Sequence, residues 1–210
     1  MLKQLHHRFV FLRRIKVLSR ELAAFIDPGT KTLLDIGSGD GSISKLIQDR
    51  NPSLKISGID IIARMSSAIP VKIYDGKQIP FGDNSFDICM FVDVLHHSLH
   101  VKELLTEARR VSGKYILIKD HVYKTRLDFR TLKFMDDVGN KPYGVALEYN
   151  YLTEKEWDTI FNELGLEIVR KKTRIPLYLF PFNLVFGRGL HFICLLKIVN
   201  DQKEKDRTDQ

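Results

Sequence analysis

Cysteine is scarce in this sequence: two residues in 210, Cys89 and Cys194. Both lie inside apolar runs and far apart, which excludes a disulfide framework and fits reduced core thiols in a cytoplasmic protein. Long hydrophobic runs are also lacking. The most lipid-like stretch, IPLYLFPFNLVF from Ile175 to Phe186, is shorter than the roughly 20 residues a spanning helix needs and carries Pro176 and Pro181. At the N-terminus Arg13 and Arg14 interrupt the apolar stretch before it could serve as a signal-peptide core, so neither secretion nor a transmembrane helix is expected. Acids are nearly missing from the same end: Lys3, Arg8, Arg13, Arg14, Lys16 and Arg20 stand against Glu21 alone before Ile26, and they hold most of the net charge of +7. Such a segment suits nucleic acid, an anionic membrane surface or an acidic substrate, and equally a solvated helix face. What is present, 44% hydrophobic and 28% charged residues, is the composition of a folded globular chain without internal repeats.

Leu5, Phe9, Leu12, Leu18, Leu22 and Phe25 recur at helical spacing, so residues 1–28 read as a basic amphipathic helix stopped by DPG at Asp27–Gly29. Residues 29–199 then alternate strands and helices. KTLLDI, LKISGID, VKIY, FDICMFVD and KYILIKD are apolar strand runs, and Val101, Leu104, Leu105, Ala108 and Val111 mark one helix face. Residues 121–151 read as an irregular insertion. TEKE at Thr153–Glu156 is a capping box opening a further helix, and LEIVRKKTRI and LHFICLLKIV pair as a terminal antiparallel unit. The expected fold is α/β: a doubly wound, mostly parallel seven-stranded sheet with a terminal antiparallel pair and helices on both faces. Residues 200–210 have no core-forming content and read as a disordered tail.

LLDIGSGDGS, from Leu33 to Ser42, ends a strand in three glycines, Gly37, Gly39 and Gly41, and opens a helix. Such a turn offers free backbone N–H groups to a nucleotide-like ligand at the carboxyl edge of a parallel sheet. A dinucleotide fingerprint would need glycine at position 42, where Ser42 stands, which disfavours a nicotinamide oxidoreductase. With GID at Gly58–Asp60 and YDGKQIPFGDNSFDICMFVDVLHH from Tyr74 to His97, the segment from Lys31 to Asp120 resembles the class I S-adenosylmethionine-dependent methyltransferases of the type 11 domain, particularly the ubiquinone and menaquinone biosynthesis branch. The resemblance implies S-adenosylmethionine as cofactor. It places the Gly37, Ser38, Gly39, Gly41 loop under the methionine part, Asp35 near its amino group and Asp93 at its end. Asp60 would hold the ribose hydroxyls, Ile61 the adenine face, and Asp75 with the Gly76 backbone the adenine edge. Asp60 and Asp75 can also be read as caps of their own turns.

An acceptor hydroxyl or acidic carbon must lose a proton, and His96, His97, Asp120 and His121 emerge at the carboxyl ends of the fourth and fifth strands. Of these His121, supported by Asp120, suits a general base; the adjoining Lys119 reads as a solvated lysine, unable to accept a proton near neutrality. His96 and His97 can equally be a loop-to-helix junction. No metal is expected, because adjacent histidines point apart and no carboxylate completes a recognisable spacing. Tyr149, Asn150 and Tyr151 and the aromatic segment from Leu177 to Phe186 could wall an acceptor pocket or be core. The expected activity is methyl transfer to a small or lipid-like acceptor at oxygen or carbon, with the basic N-terminus touching the acceptor or an anionic membrane surface. The alternatives are RNA or DNA methylation, against which VDVLHH lacks the Asn/Asp-Pro-Pro-aromatic motif, and a non-catalytic binding module.

Overall fold

The computed structural model describes residues 2–139 and 147–199, with side chains from residue 11 onward. Residues 200–210, expected to be a disordered tail, lie outside the described residues, as does the 140–146 part of the expected insertion.

Helix α1 (Leu2–Ala23) precedes the first βαβ unit, formed by β1 (Thr32–Ile36), α2 (Ser42–Arg50) and β2 (Lys55–Asp60). Next come β3 (Val71–Ile73), β4 (Phe86–Val92), a 3-10 turn at Leu95–His97, α3 (Val101–Val111) and β5 (Ser112–His121). The chain continues through α4 (Arg126–Gly139), α5 (Glu154–Glu163), β6 (Leu166–Lys172), the short α6 (Asn183–Phe186) and β7 (His191–Ile198). The seven strands form one sheet in the order β3-β2-β1-β4-β5-β7-β6. β3, β2, β1, β4 and β5 are mutually parallel, and β7 runs antiparallel between β5 and β6. Chain direction away from the sheet centre reverses between β1 and β4, so the crevice at their carboxyl ends is the switch point where ligands of such sheets collect.

The alternating strand pattern sends its two sets of side chains into two cores. Leu34, Ile36, Cys89, Phe91, Ile116 and Ile118 pack under α3 and α5, against Leu105, Ala108, Trp157 and Phe161. Leu33, Ile56, Met90, Leu117 and Ile193 pack under α1 and α2. The basic N-terminal helix is thus one of the layers of the fold: Leu18 and Leu22 are fully buried, and Val17, Phe25 and Ile26 join the same cluster. Leu22→Ala should destabilise the protein by about 2–5 kcal/mol, because the vacated space lies between helix and sheet. Urea unfolding measures it; a loss below about 0.5 kcal/mol would mean that α1 does not contribute to the core.

Both cysteines are free and buried. Burial pushes the Cys194 thiol up to about 12. The expected capping box forms, with Thr153 N–H donating to Glu156 Oε2 at 2.7 Å and Glu156 N–H to Thr153 Oγ1 at 3.3 Å. The expected irregular insertion needs correction, because it contains the 14-residue helix α4. Its periodicity misleads: Asp136 is turned inward while Leu127, Phe134 and Val138 are exposed. A readable signal did exist in Thr125 and Asp128, which bond reciprocally, Asp128 N–H to Thr125 Oγ1 at 3.2 Å and Thr125 N–H to Asp128 Oδ2 at 2.9 Å. Among the described residues no helix is long and apolar enough to cross a membrane.

Candidate functional site

β1 delivers the glycine loop to the carboxyl edge of the sheet, where Gly37 and Ser38 donate their N–H groups to Ile59 O on β2 at 2.8 and 3.1 Å. Gly37 has φ +73°, and a Cβ there would stand 2.6 Å from Val94 Cγ2, so no other residue fits without displacement. Gly39 is different. Its φ is +59° and a Cβ would meet nothing within 4 Å, so the loop faces open space at that point.

Asp60, at the end of β2, is only 6% exposed and closes the cleft. Its Oδ2 accepts from Gly39 N–H at 2.7 Å and its Oδ1 from Ile62 N–H at 2.8 Å, so the carboxylate fixes the loop as well as lining it. Asp35 lies beneath, its Oδ2 accepting from Ser44 Oγ at 2.6 Å. Burial pushes its carboxyl up to about 7, against the lowering effect of that hydrogen bond. Asp75 is exposed and organises its own turn, Oδ1 accepting from Lys77 N–H at 2.9 Å and Gln78 N–H at 3.0 Å. Beside it a Cβ on Gly76 would lie 3.1 Å from Ile61 Cγ2, and Ile61 is 60% exposed. An exposed isoleucine over a glycine backbone suits one face of a flat ring, and the buried Ser38 Oγ has no hydrogen-bond partner. An adenosine-type cofactor fits this cleft.

A second cluster fills the ends of β4, β5 and β7. Asp93, with φ +56°, receives two cations: Arg14 from α1 on Oδ2 and Lys119 from β5 on Oδ1. Burial alone would raise its carboxyl, but Lys119 and then Arg14 hold it well below the usual carboxylate range. Lys119, read from sequence as solvated, is 1% exposed, and its Nζ lies 3.4 Å from His191 Nδ1. Burial lowers its pKa, opposed by Asp93. The correction has a simple origin: β5 is a central strand flanked by β4 and β7, so its residues from Ile116 to His121 are buried on both faces.

Asp120 holds two histidines. Its Oδ1 meets His96 Nδ1 at 2.6 Å and His121 Nδ1 at 3.4 Å, and its Oδ2 accepts from Leu95 N–H at 2.9 Å. His96 Nε2 faces Asp136 Oδ2 of α4 at 3.4 Å, and that carboxylate also accepts from the Tyr151 hydroxyl. Burial disfavours the His96 imidazolium, yet Asp120 and Asp136 outweigh it and push its pKa up to about 10. His121, only 3.3 Å from His96, goes the other way: burial, then Lys119 and His96, lower its pKa. His97 is likewise lowered, to about 4, by burial and then by His96.

Asp120, His121, His96 and His97 therefore do come together. Sequence reasoning missed Arg14, Asp136 and His191, which reach the cluster only through tertiary packing. Of the aromatic candidates, Tyr151 is buried with its ring stacked on His96 at 5.6 Å, and Tyr149 bonds Asp137 at 2.7 Å. Leu177 is core, Tyr178 is half-buried, and Leu179 to Val185 include the exposed Phe180 and Phe182. Ligand-type atoms of His96, Asp120 and His121, and of His96, His97 and Asp136, lie within 4.8 Å of one another, a proximity that chain spacing does not announce.

The His96 charge has a consequence for stability. Its folded pKa of about 10 lies above the ordinary 6.5, so its contribution is complete below about pH 6.5 and fades as pH rises toward 10. The stability difference between the wild type and His96→Gln should therefore narrow from about pH 6 to about pH 9 in denaturant titrations. A constant difference would mean that His96 is neutral in the folded protein.

A doubly wound sheet with a glycine loop, a carboxylate ending β2 and a polar cluster beyond β4 and β5 defines a class of protein built around an adenosine-type cofactor. Residues 34–117 match the family described as a methyltransferase domain. The chain is 30% identical over 150 residues to the ubiquinone/menaquinone biosynthesis C-methyltransferase UbiE of Cupriavidus taiwanensis, covering 62% of this chain and 61% of that protein. It thus spans about three fifths of the length of that curated relative. In fold it is similar to the PH0226 protein of Pyrococcus horikoshii, at TM-score 0.65 and 16% identity over 90% of this chain and 91% of that one. Geranyl diphosphate methyltransferase, solved in complex with S-adenosylmethionine, gives TM-score 0.65 and 12% identity over 86% of this chain and 84% of that one. The similarity to a methyltransferase domain spans residues 34–117, the part of the chain that builds the glycine loop, the Asp60 cleft and the end of β4.

Proposed function

We propose that this chain transfers a methyl group from S-adenosylmethionine to a small or lipid-like acceptor, at oxygen or carbon. The observation that carries the reading is the unequal setting of two histidines at the ends of β4 and β5: His96 lies between the carboxylates of Asp120 and Asp136, at 2.6 and 3.4 Å, whereas His121 lies 3.3 Å from His96 and has its pKa lowered by burial, Lys119 and His96. When bound, S-adenosylmethionine supplies a sulfonium-activated methyl group. The chain's own task is then to bind the acceptor, exclude water and accept a proton from an acidic oxygen or carbon.

His121 suits that last role. In the tautomer whose Nδ1 proton faces Asp120 Oδ1, 3.4 Å away, the Nε2 lone pair is left to accept, and Trp157 Nε1 fixes the backbone by donating to His121 O at 3.1 Å. Asp120 is a positioning residue, orienting both imidazoles. His96 cannot accept a proton while it is charged, but its fixed charge keeps His121 neutral. Tyr151 and Tyr178 supply aromatic walls, and the Arg14–Asp93–Lys119 group closes the side under α1. The similarity to a C-methyltransferase of ubiquinone and menaquinone biosynthesis supports a quinol-type carbon acceptor.

The experiment is transfer of labelled methyl from S-adenosylmethionine to a panel of demethylated quinols, phenols, lipid-linked acceptors and RNA. Label in the quinol or lipid fraction is the expected result. Label in RNA alone would overturn the acceptor class, and no label in any fraction would favour a binding module.

A further inference from the structure

We propose that the outer face of α4 and the neighbouring 179–185 segment form a docking surface for anionic phospholipid bilayers, next to the polar cluster. The inference extends the lipid-like acceptor reading above, and its test is independent of that reading.

α4 has two unlike faces. Leu132 and Asp136 are 1% and 4% exposed and turn inward, Asp136 into the histidine cluster. Leu127, Phe134 and Val138, spaced along the opposite side, are 66%, 57% and 54% exposed. A helix that offers apolar side chains to water on the face away from its core has an unmet partner. The 179–185 segment adds Phe180, Phe182 and Leu184, all exposed, with Phe180 at 81%. The two parts are joined. The Phe134 ring stacks on Phe186 at 6.5 Å, and Arg188 bridges to α4 through Asp128 Oδ1 at 3.1 Å and Thr131 Oγ1 at 2.9 Å.

Charge identifies the partner. Arg126, Arg130 and Lys133 are exposed along the edge of the apolar stripe; none makes an ion pair among the described residues, and Lys133 Nζ lies 4.5 Å from the centre of the Tyr149 ring. The acids of the same helix are engaged elsewhere: Asp128 with Arg188, Asp137 with Tyr149, and Asp136 in the site. A second copy docking here would bring one row of cations onto another. A free polyanion would satisfy the cations but leave the phenylalanines in water. A bilayer with anionic headgroups satisfies both, apolar tips in the acyl boundary and cations at the headgroups. Of the N-terminal helix, Ile15, Val17, Leu18 and Leu22 are buried in the core, while Phe11 and Leu12 are exposed.

The position relative to the site gives the surface a purpose. Phe186 packs on Tyr178 at 5.7 Å, the Tyr178 ring lies 6.0 Å from that of His191, and His191 Nε2 lies 3.1 Å from Phe186 O. One aromatic layer, Phe186 and Tyr178, thus stands between the patch and His191, so the proposed membrane face lies next to the polar cluster.

The test is flotation with vesicles of equal parts phosphatidylglycerol and phosphatidylcholine, and with phosphatidylcholine alone. Wild type should float with the mixed vesicles and much less with the neutral ones. The triple variant Phe134→Ser, Phe180→Ser, Leu184→Ser should bind about tenfold or more weakly, while S-adenosylmethionine affinity stays unchanged as the control for folding. Arg126→Gln, Arg130→Gln, Lys133→Gln should lose the preference for anionic lipid. Failure of wild type to float, or a triple variant that floats as well as wild type, overturns the proposal. So does a dimer in sedimentation that the triple substitution abolishes without any vesicle binding. Methyl transfer to a detergent-solubilised quinol, measured in parallel, separates the two readings: binding without transfer removes the acceptor class and spares the surface, and transfer without binding does the reverse.

Discussion

His121→Asn is expected to lower turnover by about 100-fold or more, the usual contribution of a positioned general base, while S-adenosylmethionine affinity stays near that of the wild type. Asparagine keeps a donor toward Asp120 but cannot take a proton. The pH profile carries the sharper signature. Burial, Lys119 and the His96 charge lower the His121 pKa, so the acid limb of kcat/KM should fall below the ordinary 6.5 of imidazole and rise to a plateau above it. The variant should lose that limb. Full turnover with an unshifted profile would leave His121 a structural residue anchoring the end of β5, and His97, lowered to about 4, would be the remaining neutral imidazole of the turn.

Asp60→Ala should weaken S-adenosylmethionine binding by about 1.5–3 kcal/mol, equivalent to roughly ten- to hundredfold in Kd, as a charged acceptor is lost from a buried position. Two effects combine here. In the proposed cofactor site the carboxylate would accept from a diol, and it holds Gly39 N–H at 2.7 Å and Ile62 N–H at 2.8 Å, so its removal loosens the glycine loop itself. Asp60→Asn separates them, since the amide oxygen can keep one backbone contact without the charge. Titration calorimetry reads both variants; unchanged affinity in Asp60→Ala would remove the residue from the cofactor site.

The middle of the parallel sheet was legible because β1 and β4 are buried on both faces and therefore read as nearly continuous apolar runs, as in LLDI and ICMFV. The glycine loop was legible because each backbone demand falls on a local stretch of sequence. Thr153 and Glu156 announced α5 through a contact that spans three residues. α4 failed by the same logic: its inner face carries an aspartate that pairs with a distant histidine, and its outer face is apolar, so hydrophobic periodicity points the wrong way. The acceptor-side cluster was half legible. Asp120 and His121 sit on a recognisable strand end, whereas His191 joins them only because β7 inserts beside β5, opposite His121 in the ladder, and Arg14 only because α1 packs over the sheet and pairs with Asp93. A lysine in a central strand is charged in composition but buried by topology, and no window of sequence reports that.

The central claim, that the cleft between the glycine loop and Asp60 is an S-adenosylmethionine site, is tested most directly by titration calorimetry of the wild-type protein with S-adenosylmethionine, S-adenosylhomocysteine and NAD. The account predicts that the first two bind with one-to-one stoichiometry and compete with each other, and that NAD gives no heat of binding. Saturable NAD binding together with no response to S-adenosylmethionine would contradict it.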